Sequence, residues 1–463
     1  MNKEIIIIGG GPGGYVAAIR GAQLGAKVIL IEKDKIGGTC LNYGCVPTKS
    51  LYKNAEVLRT IYNSGEYGIK IDNYSIDIEK VQQRKARIVN QLVEGIEKLL
   101  LANKIEVIKG RVEFIDRYKL KVTKEDNSTL LLESKNIIIA TGSTAQIPPI
   151  EGVDLEGVYT SKEALGFNRL PKRLAIIGGG VIGMELACIF HSFGVEITVI
   201  EYEKQLLPFL DKDVSIRLAS SLKKEGLSIH TATKLLAIEE NNLGLLLRAK
   251  GKKGVLTMEV DGVLIATGRI PEFKGLNIDS ANIKHNRSIE VDNNFMTNIE
   301  GIYAVGDVNG KSMLAHSASH QGIAVVDHIM GIENSIDHNL VPNCIFTFPE
   351  VGIVGQTESQ LKDKGIEYIV SKFQFPANAK ALAIGEGQGF VKVIADKKGY
   401  LLGVQIMGPH ATELIHEGAL AIKNRLKLED ITSTIHAHPT LSEAFVEACL
   451  GINGEAIHGV ARR

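Results

Sequence analysis

The chain of 463 residues lacks several features that mark particular classes of protein. It has no tryptophan, and its five cysteines are too few for a secreted scaffold held together by disulfides. Lys plus Arg and Asp plus Glu both number 53, so the formal net charge is zero and the basic footprint of a nucleic-acid-binding protein is missing. No apolar run approaches the roughly 18 residues that a membrane-spanning helix needs.

The remaining composition is that of an ordinary globular protein. Hydrophobic residues make up 44% of the chain and charged residues 23%, which argues against disorder. At roughly 150 residues per domain, the length suggests about three domains. A strand-like run begins at Ile5, which leaves no room for a signal or transit peptide before it. We therefore expect a cytoplasmic protein without membrane or nucleic-acid partners.

Glycine is abundant, with 48 copies, and it clusters after a predicted strand near the N-terminus. The run EIIII is followed by GGGPGG at residues 9–14, a predicted helix, a second strand and Glu32. Gly9 permits a tight turn, Gly11 lets the backbone approach a pyrophosphate, and Gly14 lets the helix pack closely on the strand. The carboxylate of Glu32 can accept a hydrogen bond from a ribose hydroxyl. Together these signals predict a dinucleotide site.

The same pattern recurs 169 positions later, as GGGVIG at residues 178–183 followed by a helix, a strand and Glu201. The first glycine and the acid are 23 positions apart in both copies, so we predict two dinucleotides, one for each copy. A carboxylate at the ribose favours NAD, because it would repel the extra phosphate of NADP, and no arginine follows Glu201 closely. At this offset Val16 corresponds to Glu185, which the residues alone explain equally well as an acid favoured in the first turn of a helix.

Other segments outline the rest of the chain. Predicted strands end in ATGS at 140–143 and ATGR at 266–269, where small residues allow a ligand to approach the backbone. A further strand runs into Gly306 and Asp307. Residues 341–463 contain no third glycine motif and predict a mixed strand-and-helix domain. The charge-rich stretch 222–253 is interpreted as solvated surface.

Two cysteines, Cys40 and Cys45, lie in the segment GGTCLNYGCVPTK. Pro47 favours the first turn of a helix, whose N-terminus would lower the pKa of the Cys45 thiol. Lys49 is four residues after Cys45, on the same helical face. Zinc usually needs two more ligands, and two inert thiols are the other alternative. The remaining cysteines are isolated and are interpreted as buried core thiols: Cys188, Cys344 and Cys449.

The segment HAHPTLSE at residues 436–443 carries a second candidate group. A histidine held by a carboxylate can exchange protons near neutral pH. Two histidines at alternate positions would also suit a metal, but no third ligand adjoins them and we predict no metal site. Spacing alone is equally compatible with a hydrogen-bonded surface pair.

Both glycine motifs, GGTCLNYGCVPTK, the two ATG turns, YAVGD and HAHPTLSE together resemble the pyridine nucleotide–disulfide oxidoreductases of class I, over essentially the whole chain. The cysteine and histidine segments most resemble members that oxidise dihydrolipoamide. The resemblance implies an α/β fold with two Rossmann-like dinucleotide-binding domains, for FAD and NAD, and a C-terminal α+β dimerisation domain. The implied divisions are 1–145 for the FAD domain, 146–270 for the NAD domain, 271–340 for a central segment completing the FAD domain, and 341–463 for the dimerisation domain.

The resemblance also implies roles for the candidate residues. Cys40 and Cys45 would form a redox-active disulfide, with Cys45 facing the flavin and Cys40 exchanging with substrate. Lys49 would lie against the flavin and pair with Glu185, and Asp307 would lie near the ribityl chain. The expected cofactor contacts are Gly9, Gly11, Gly13, Gly14, Glu32, Lys33, Thr39, Lys49, Gly110, Thr141, Gly142, Ser143, Gly178, Gly179, Gly180, Val181, Ile182, Gly183, Glu201, Gly268, Arg269, Asp307, Met313, Leu314, Ala315 and His316.

In this family the C-terminal histidine acts on the disulfide of the other subunit, so a homodimer is implied. His438 would be the base and Glu443 would orient it, while His436 has no assigned role. The implied function is oxidation of protein-bound dihydrolipoamide with reduction of NAD, within a keto-acid dehydrogenase complex or the glycine cleavage system. The alternatives are a related NAD(P)H-dependent reductase of glutathione or another small disulfide, and a non-catalytic NAD- and FAD-binding sensor or scaffold.

Overall fold

The isoleucine run near the N-terminus forms a strand that is buried on both faces, as expected for a parallel strand covered by helices. The computed structural model describes residues 3–242, 244–252 and 254–459. Its first elements are β1 (Glu4–Ile8), α1 (Pro12–Gln23), β2 (Lys27–Glu32), α2 (Gly38–Tyr43), α3 (Cys45–Tyr62), α4 (Ile78–Ala102), β3 (Glu106–Phe114), β4 (Lys119–Lys124), β5 (Thr129–Glu133), β6 (Ile137–Ile139) and β7 (Ser143–Ala145). Strands β6, β1, β2 and β3 are parallel neighbours, and β4 and β5 extend the sheet antiparallel.

A second parallel sheet follows, with strand order β11-β10-β9-β15-β8. Its elements and those that adjoin it are β8 (Val158–Thr160), α5 (Ser161–Ala164), β9 (Arg173–Ile177), α6 (Val181–Ser192), β10 (Glu196–Ile200), α7 (Lys212–Lys224), β11 (Ser228–His230), β12 (Lys234–Asn241), β13 (Gly244–Gly251), β14 (Gly254–Val260), β15 (Gly262–Ile265) and β16 (Arg269–Pro271). Strand β16 pairs antiparallel with β7, which joins the two nucleotide units.

The interpretation of residues 222–253 as solvated surface is wrong. Strands β12, β13 and β14 form an antiparallel sheet of their own. Apolar residues such as Leu235, Leu245 and Leu247 are buried on one face, while charged residues alternate with them on the other. The abundance of charge concealed the two-residue period that marks a half-buried strand.

The predicted repeat is present in the backbone itself. Each bound of β9, α6 and β10 lies 169 positions after the corresponding bound of β1, α1 and β2, apart from the last residue of β2. The register repeats as well, because Ile8 pairs with Ile31 and Ile177 pairs with Ile200. Both copies therefore have the same strand–turn–helix–strand geometry.

After the second unit the chain returns to the first sheet. Strand β17 (Ile302–Ala304) pairs parallel with β6, and α8 (Ala315–Met330) packs on α1. This packing requires a small residue, because a Cβ at Gly322 would lie 2.5 Å from the carbonyl oxygen of Gly13. Residues near 307–316 thereby reach the first glycine turn.

The last part of the chain is an antiparallel sheet, ordered β18-β19-β22-β21-β20, with α11 and α13 packed against it. Its elements are β18 (Asn343–Ile345), β19 (Glu350–Gly355), α9 (Glu358–Asp363), β20 (Ile369–Gln374), α10 (Ala379–Ala383), β21 (Phe390–Ala395), β22 (Leu401–Gly408), α11 (Ala411–Lys423), α12 (Leu428–Thr432) and α13 (Glu443–Ile452). The α/β fold class is confirmed. Within the described ranges, no helix combines the length and the apolar character needed to cross a membrane.

Candidate active site

The glycines within each turn have different roles. Gly9 has a φ of +107°, and a Cβ there would lie 2.4 Å from the carbonyl oxygen of Ala140. A Cβ at Gly14 would lie 1.8 Å from the carbonyl oxygen of Gly9, so both positions are closed to any side chain. Gly11 has no such neighbour, since the nearest heavy atom would be 3.9 Å from its Cβ. The space in front of Gly11 is therefore the space of the cleft, where a ligand can contact the backbone at the start of α1.

The second turn repeats this arrangement. Gly178 and Gly183 are sterically closed, with a Cβ placed 2.3 Å and 2.1 Å from backbone oxygens, whereas a Cβ at Gly180 would have no heavy atom within 4 Å. The packing of the protein does not require glycine at this position, which lies at the N-terminus of a helix. A glycine there leaves room for a phosphate group to bind the backbone N–H groups.

The acid at the end of each second strand folds back onto its own glycine turn. Glu32 accepts hydrogen bonds from the backbone N–H groups of Gly10, at 2.6 Å, and of Asp34, at 2.7 Å. Glu201 accepts from the N–H groups of Gly179 and Glu203 in the same way. Both carboxylates line the cleft, so they are placed to contact a ribose beside each turn.

One continuous cleft of about 1840 Å³ joins the two turns and the cysteine segment. The predicted site residues that line it are Gly9, Gly11, Gly13, Glu32, Lys33, Thr39, Cys40, Cys45, Lys49, Gly110, Thr141, Gly142, Ser143, Gly178, Gly180, Val181, Ile182, Glu185, Glu201, Gly268, Arg269, Asp307, Met313, Leu314, Ala315 and His316. The predicted residues Gly14, Gly179 and Gly183 do not line the cleft. His438 and Glu443 are in a different part of this chain.

The two cysteines approach each other across a break between helices. Cys40 lies in α2, the chain turns at Gly44, and Cys45 opens α3. Both are free thiols, which is the reduced state of the pair, and the thiol of Cys40 donates a hydrogen bond to Cys45. This hydrogen bond, together with the Lys49 ammonium, lowers the pKa of Cys45 to about 7 against the effect of burial. The pKa of Cys40 is raised by the same hydrogen bond and by burial.

Lys49 connects the cysteine helix to the second nucleotide unit. Its Nζ lies 2.9 Å from both carboxylate oxygens of Glu185, and the Glu185 side chain is only 6% exposed. The backbone N–H of Phe346 donates to the same carboxylate at 3.1 Å, and Lys49 Nζ lies 4.2 Å from the centre of the Phe346 ring. A buried carboxylate is stable here because an ammonium and a backbone donor share it.

A second network lies at the junction of the two units. Arg269 Nε donates to Ser143 Oγ at 2.7 Å, and Ser143 Oγ donates in turn to Asp307. Arg269 also lies 3.9 Å from Asp307 Oδ2. This arrangement fixes the Asp307 carboxylate in the wall of the cleft.

His438 and Glu443 form a pair in the C-terminal part of the chain. His438 Nδ1 lies 2.9 Å from Glu443 Oε1, and the N–H of Thr440 donates to Glu443 Oε2 at 2.7 Å. Partial burial raises the pKa of Glu443, but the Thr440 N–H and the His438 imidazole outweigh it and lower that pKa. The His438 side chain is 71% exposed, so its free Nε2 faces outward from this chain.

Two residues that line the cleft had no recognised signal in the sequence. Phe346 lies in a segment without a motif, and only its contact with Glu185, 161 positions away, reveals its position. Cys344, interpreted as a buried core thiol, is only partly buried and lines the cleft, which corrects that interpretation. Cys188 and Cys449 are buried as expected.

Comparison with known proteins gives consistent matches along the whole chain. The family model described as pyridine nucleotide-disulphide oxidoreductase matches residues 3–322, and the model of the dimerisation domain of that family matches residues 341–449. Mitochondrial dihydrolipoyl dehydrogenase of Pisum sativum is 39% identical over 464 residues, covering 99% of this chain and 93% of the relative.

Two further relatives agree with these matches. Dihydrolipoyl dehydrogenase of Bacillus subtilis is 40% identical over 470 residues, covering 98% of this chain and 99% of the relative. The crystal structure of LpdA from Mycobacterium tuberculosis superimposes with a TM-score of 0.90 at 28% identity, covering 96% of this chain and 99% of that one.

Proposed function

The chain belongs to the pyridine nucleotide-disulphide oxidoreductase family, and we propose that it oxidises the dihydrolipoamide of a lipoyl-bearing protein and reduces NAD. The observation that carries this proposal is the Cys40–Cys45 pair, held at the N-terminus of α3 in a cleft that also contains both glycine turns. Proteins of this family use FAD and NAD. Full-length relatives named dihydrolipoyl dehydrogenase support the choice of substrate.

The described residues fit both cofactors. The open positions at Gly11 and Gly180 provide a phosphate cradle for each, and Glu32 and Glu201 lie where a ribose would be. We assign FAD to the first turn, with Asp307 and Lys49 beside it, and NAD to the second. When bound, FAD would supply the two-electron redox chemistry that connects the cysteine dithiol to NAD.

We propose that the cysteines carry the exchange with substrate. A substrate thiolate attacks the sulfur of Cys40 in the oxidised pair, which forms a mixed disulfide and releases Cys45 as a thiolate. The second substrate thiol then gives its proton to a base and attacks the substrate sulfur that is bonded to Cys40, which releases Cys40 as a thiolate and closes the lipoamide disulfide. The lowered pKa of Cys45 suits it to leave as a thiolate near neutral pH, and Lys49 neutralises its charge.

The second attack needs a base, and we propose His438 of a second copy of the chain. Glu443 binds Nδ1 and leaves Nε2 free to accept the thiol proton. In support, His438 is exposed and does not line the cleft of its own chain, while the family model at residues 341–449 is that of a dimerisation domain. A homodimer would then carry two sites, each built from both subunits, and the lipoyl-bearing partner would belong to a keto-acid dehydrogenase or glycine cleavage complex.

We also propose that the chain divides near residues 145, 270 and 340. The return of β17 to the first sheet supports a central segment that completes the FAD domain. The junction of β7 with β16 would then be the boundary where the FAD and NAD domains meet.

The proposed function is tested by an anaerobic visible spectrum of the purified protein before and after addition of dihydrolipoamide, followed by NAD. We expect a flavin spectrum, a long-wavelength charge-transfer band after dihydrolipoamide, and NADH formation after NAD. Cys45→Ser should abolish the band and turnover, whereas Cys449→Ala, in the C-terminal core, should keep both.

The outcomes separate the alternatives. A flavin that glutathione reduces and dihydrolipoamide does not would reassign the substrate to a small disulfide. Folded protein that binds no flavin even after FAD is added would contradict the enzymatic function altogether.

A further inference from the structure

His436 lies two residues before His438, but its side chain is much less exposed than that of His438. Its side chain is 13% exposed, against 71% for His438. The neighbouring Ile435 is 97% exposed, so the chain turns at this point and directs His436 inward, towards α11.

Both ring nitrogens of His436 face oxygen atoms that can only accept. Nδ1 lies 2.9 Å from the carbonyl oxygen of Thr434, and Nε2 lies 2.7 Å from Oε1 of Glu417. A neutral imidazole carries one N–H and would leave a lone pair facing one of these oxygens at hydrogen-bond distance. The contacts are satisfied together only when both nitrogens are protonated.

The charges around the ring favour that state. Burial lowers the pKa of His436, but the hydrogen bonds with Glu417 and Thr434, and the charges of Glu417 on α11 and Glu443 on α13, raise it above its ordinary value. A charge-assisted hydrogen bond of this kind is stronger than a neutral one.

The segment that carries His438 depends on such side-chain contacts. Among the described residues, no backbone N–H of residues 435–438 donates to a backbone carbonyl. On the C-terminal side, Thr440 Oγ1 donates to the carbonyl oxygen of Ala437, and the Thr440 carbonyl accepts from Asn378. On the N-terminal side, the His436–Glu417 pair ties the segment to α11.

We propose that His436 is a positioning residue, held as an imidazolium by Glu417 and Thr434, and that it fixes the segment from which His438 reaches the cysteines of the second subunit. This inference rests on the proposed role of His438. Because two acceptor oxygens face the ring of His436, it keeps its proton while His438 exchanges one.

The test compares two substitutions of Glu417 with a control on the same helix. Glu417→Ala leaves Nε2 of His436 without a partner, and a displaced base should lower kcat for dihydrolipoamide oxidation by ~10- to 100-fold. Glu417→Gln lets the amide donate to a neutral ring, so both hydrogen bonds survive and kcat should be restored to within about threefold. Glu413→Ala, at an exposed position one turn earlier, should leave kcat unchanged.

A second reaction separates positioning from general damage. Reduction of ferricyanide by NADH uses the cofactors but not the base, so Glu417→Ala should keep this rate. Unchanged dihydrolipoamide oxidation in Glu417→Ala would overturn the inference. So would a parallel loss of both activities, or a failure of Glu417→Gln to restore kcat.

The protonation state is measured directly by nitrogen NMR of protein labelled at its 12 histidines. As the pH rises above the ordinary histidine pKa of about 6.5, His436 should keep its imidazolium signal to a higher pH than the other histidines, and Glu417→Gln should remove this difference. Titration of His436 together with the other histidines, or an unchanged midpoint in Glu417→Gln, would overturn the inference. If the wild-type protein did not oxidise dihydrolipoamide, the proposed function would fail, and this measurement would still report on His436.

Discussion

The Nζ of Lys392 lies 2.8 Å from Oδ2 of Asp211, and this ion pair joins the C-terminal sheet to the second nucleotide unit. The Lys392 side chain is fully buried in β21, and Asp211 precedes the first turn of α7. Asp213 and Glu358 also contact the ammonium, at 3.0 Å and 2.5 Å. Burial lowers the pKa of Lys392, but these carboxylates raise it above its ordinary value, so the lysine stays charged.

Removal of this ammonium should destabilise the protein strongly. Lys392→Met leaves a buried carboxylate without its counter-charge, and breaking a buried pair in this way costs about 3–5 kcal/mol of unfolding free energy. Lys397→Met, which removes an exposed pair with Glu367, should cost less than about 1 kcal/mol. Denaturant unfolding of both variants measures the difference, and equal stabilities would show that the buried cluster does not hold the two parts together.

The thiol of Cys45 should titrate near neutral pH. Its pKa of about 7 lies below the ordinary value of 9.0, so the thiolate is populated above pH 7 and lost as the pH falls through that value. Lys49→Met removes a neighbouring cation and should raise the midpoint by ~1 unit. Lys53→Met, an exposed lysine one turn further along α3, should leave it in place.

The rate of alkylation of Cys45 in the reduced protein, followed by mass spectrometry across pH, gives this midpoint. A midpoint near pH 9 in the wild-type chain would mean that neither the Cys40 hydrogen bond nor Lys49 activates the thiol.

Substitution by alanine should have different effects at two glycines of the second turn. Gly180→Ala places its methyl group in open cleft, so the protein should fold normally while KM for NAD rises ~10-fold or more. Gly183→Ala drives a methyl group to 2.1 Å from a backbone oxygen and should lower the melting temperature. Thermal unfolding and NAD kinetics of the two variants check this contrast. A normal KM in folded Gly180→Ala would remove the phosphate cradle from this position.

Two inactive variants should complement each other if the base acts across a dimer. Cys45→Ser chains keep His438, and His438→Gln chains keep both cysteines. Random pairing of equal amounts makes half of the dimers mixed, each with one intact site, so activity should return to about a quarter of the wild-type value. Activity is measured after the mixture has been unfolded and refolded with FAD. No recovery, with mixed dimers present by mass spectrometry, would place the base in the same chain as its cysteines.

The sequence predicted those parts of the site that depend on local patterns. Each glycine turn is read within about thirty residues, and Cys40 and Cys45 are five positions apart, so neither needed knowledge of the tertiary fold. Glu185 stood out against Val16 in the repeat, but its partner Lys49 is 136 positions away, and only the family resemblance suggested the pair.

Other features depend on contacts that no local pattern encodes. Phe346 contacts Glu185 through its backbone N–H, and no sequence pattern predicts a backbone contact of this kind. Lys392 reads as an ordinary surface lysine, and its burial is evident only when carboxylates from α7 and α9 surround it. Strands β12 and β13 were missed because charged side chains on their exposed face hid the apolar alternation on the other.

The two strand–turn–helix–strand copies have matching element bounds, but one side chain gives the second copy a different structural role. The segment from the start of β1 to Ile31 matches the segment from the start of β9 to Ile200 without an insertion or a deletion. Where the first copy has Val16, the second has Glu185, which reaches out of its own unit to hold the lysine beside the cysteines. The two copies thus differ at this position by one side chain on an equivalent backbone, and that side chain makes the second copy a structural component of the thiol site.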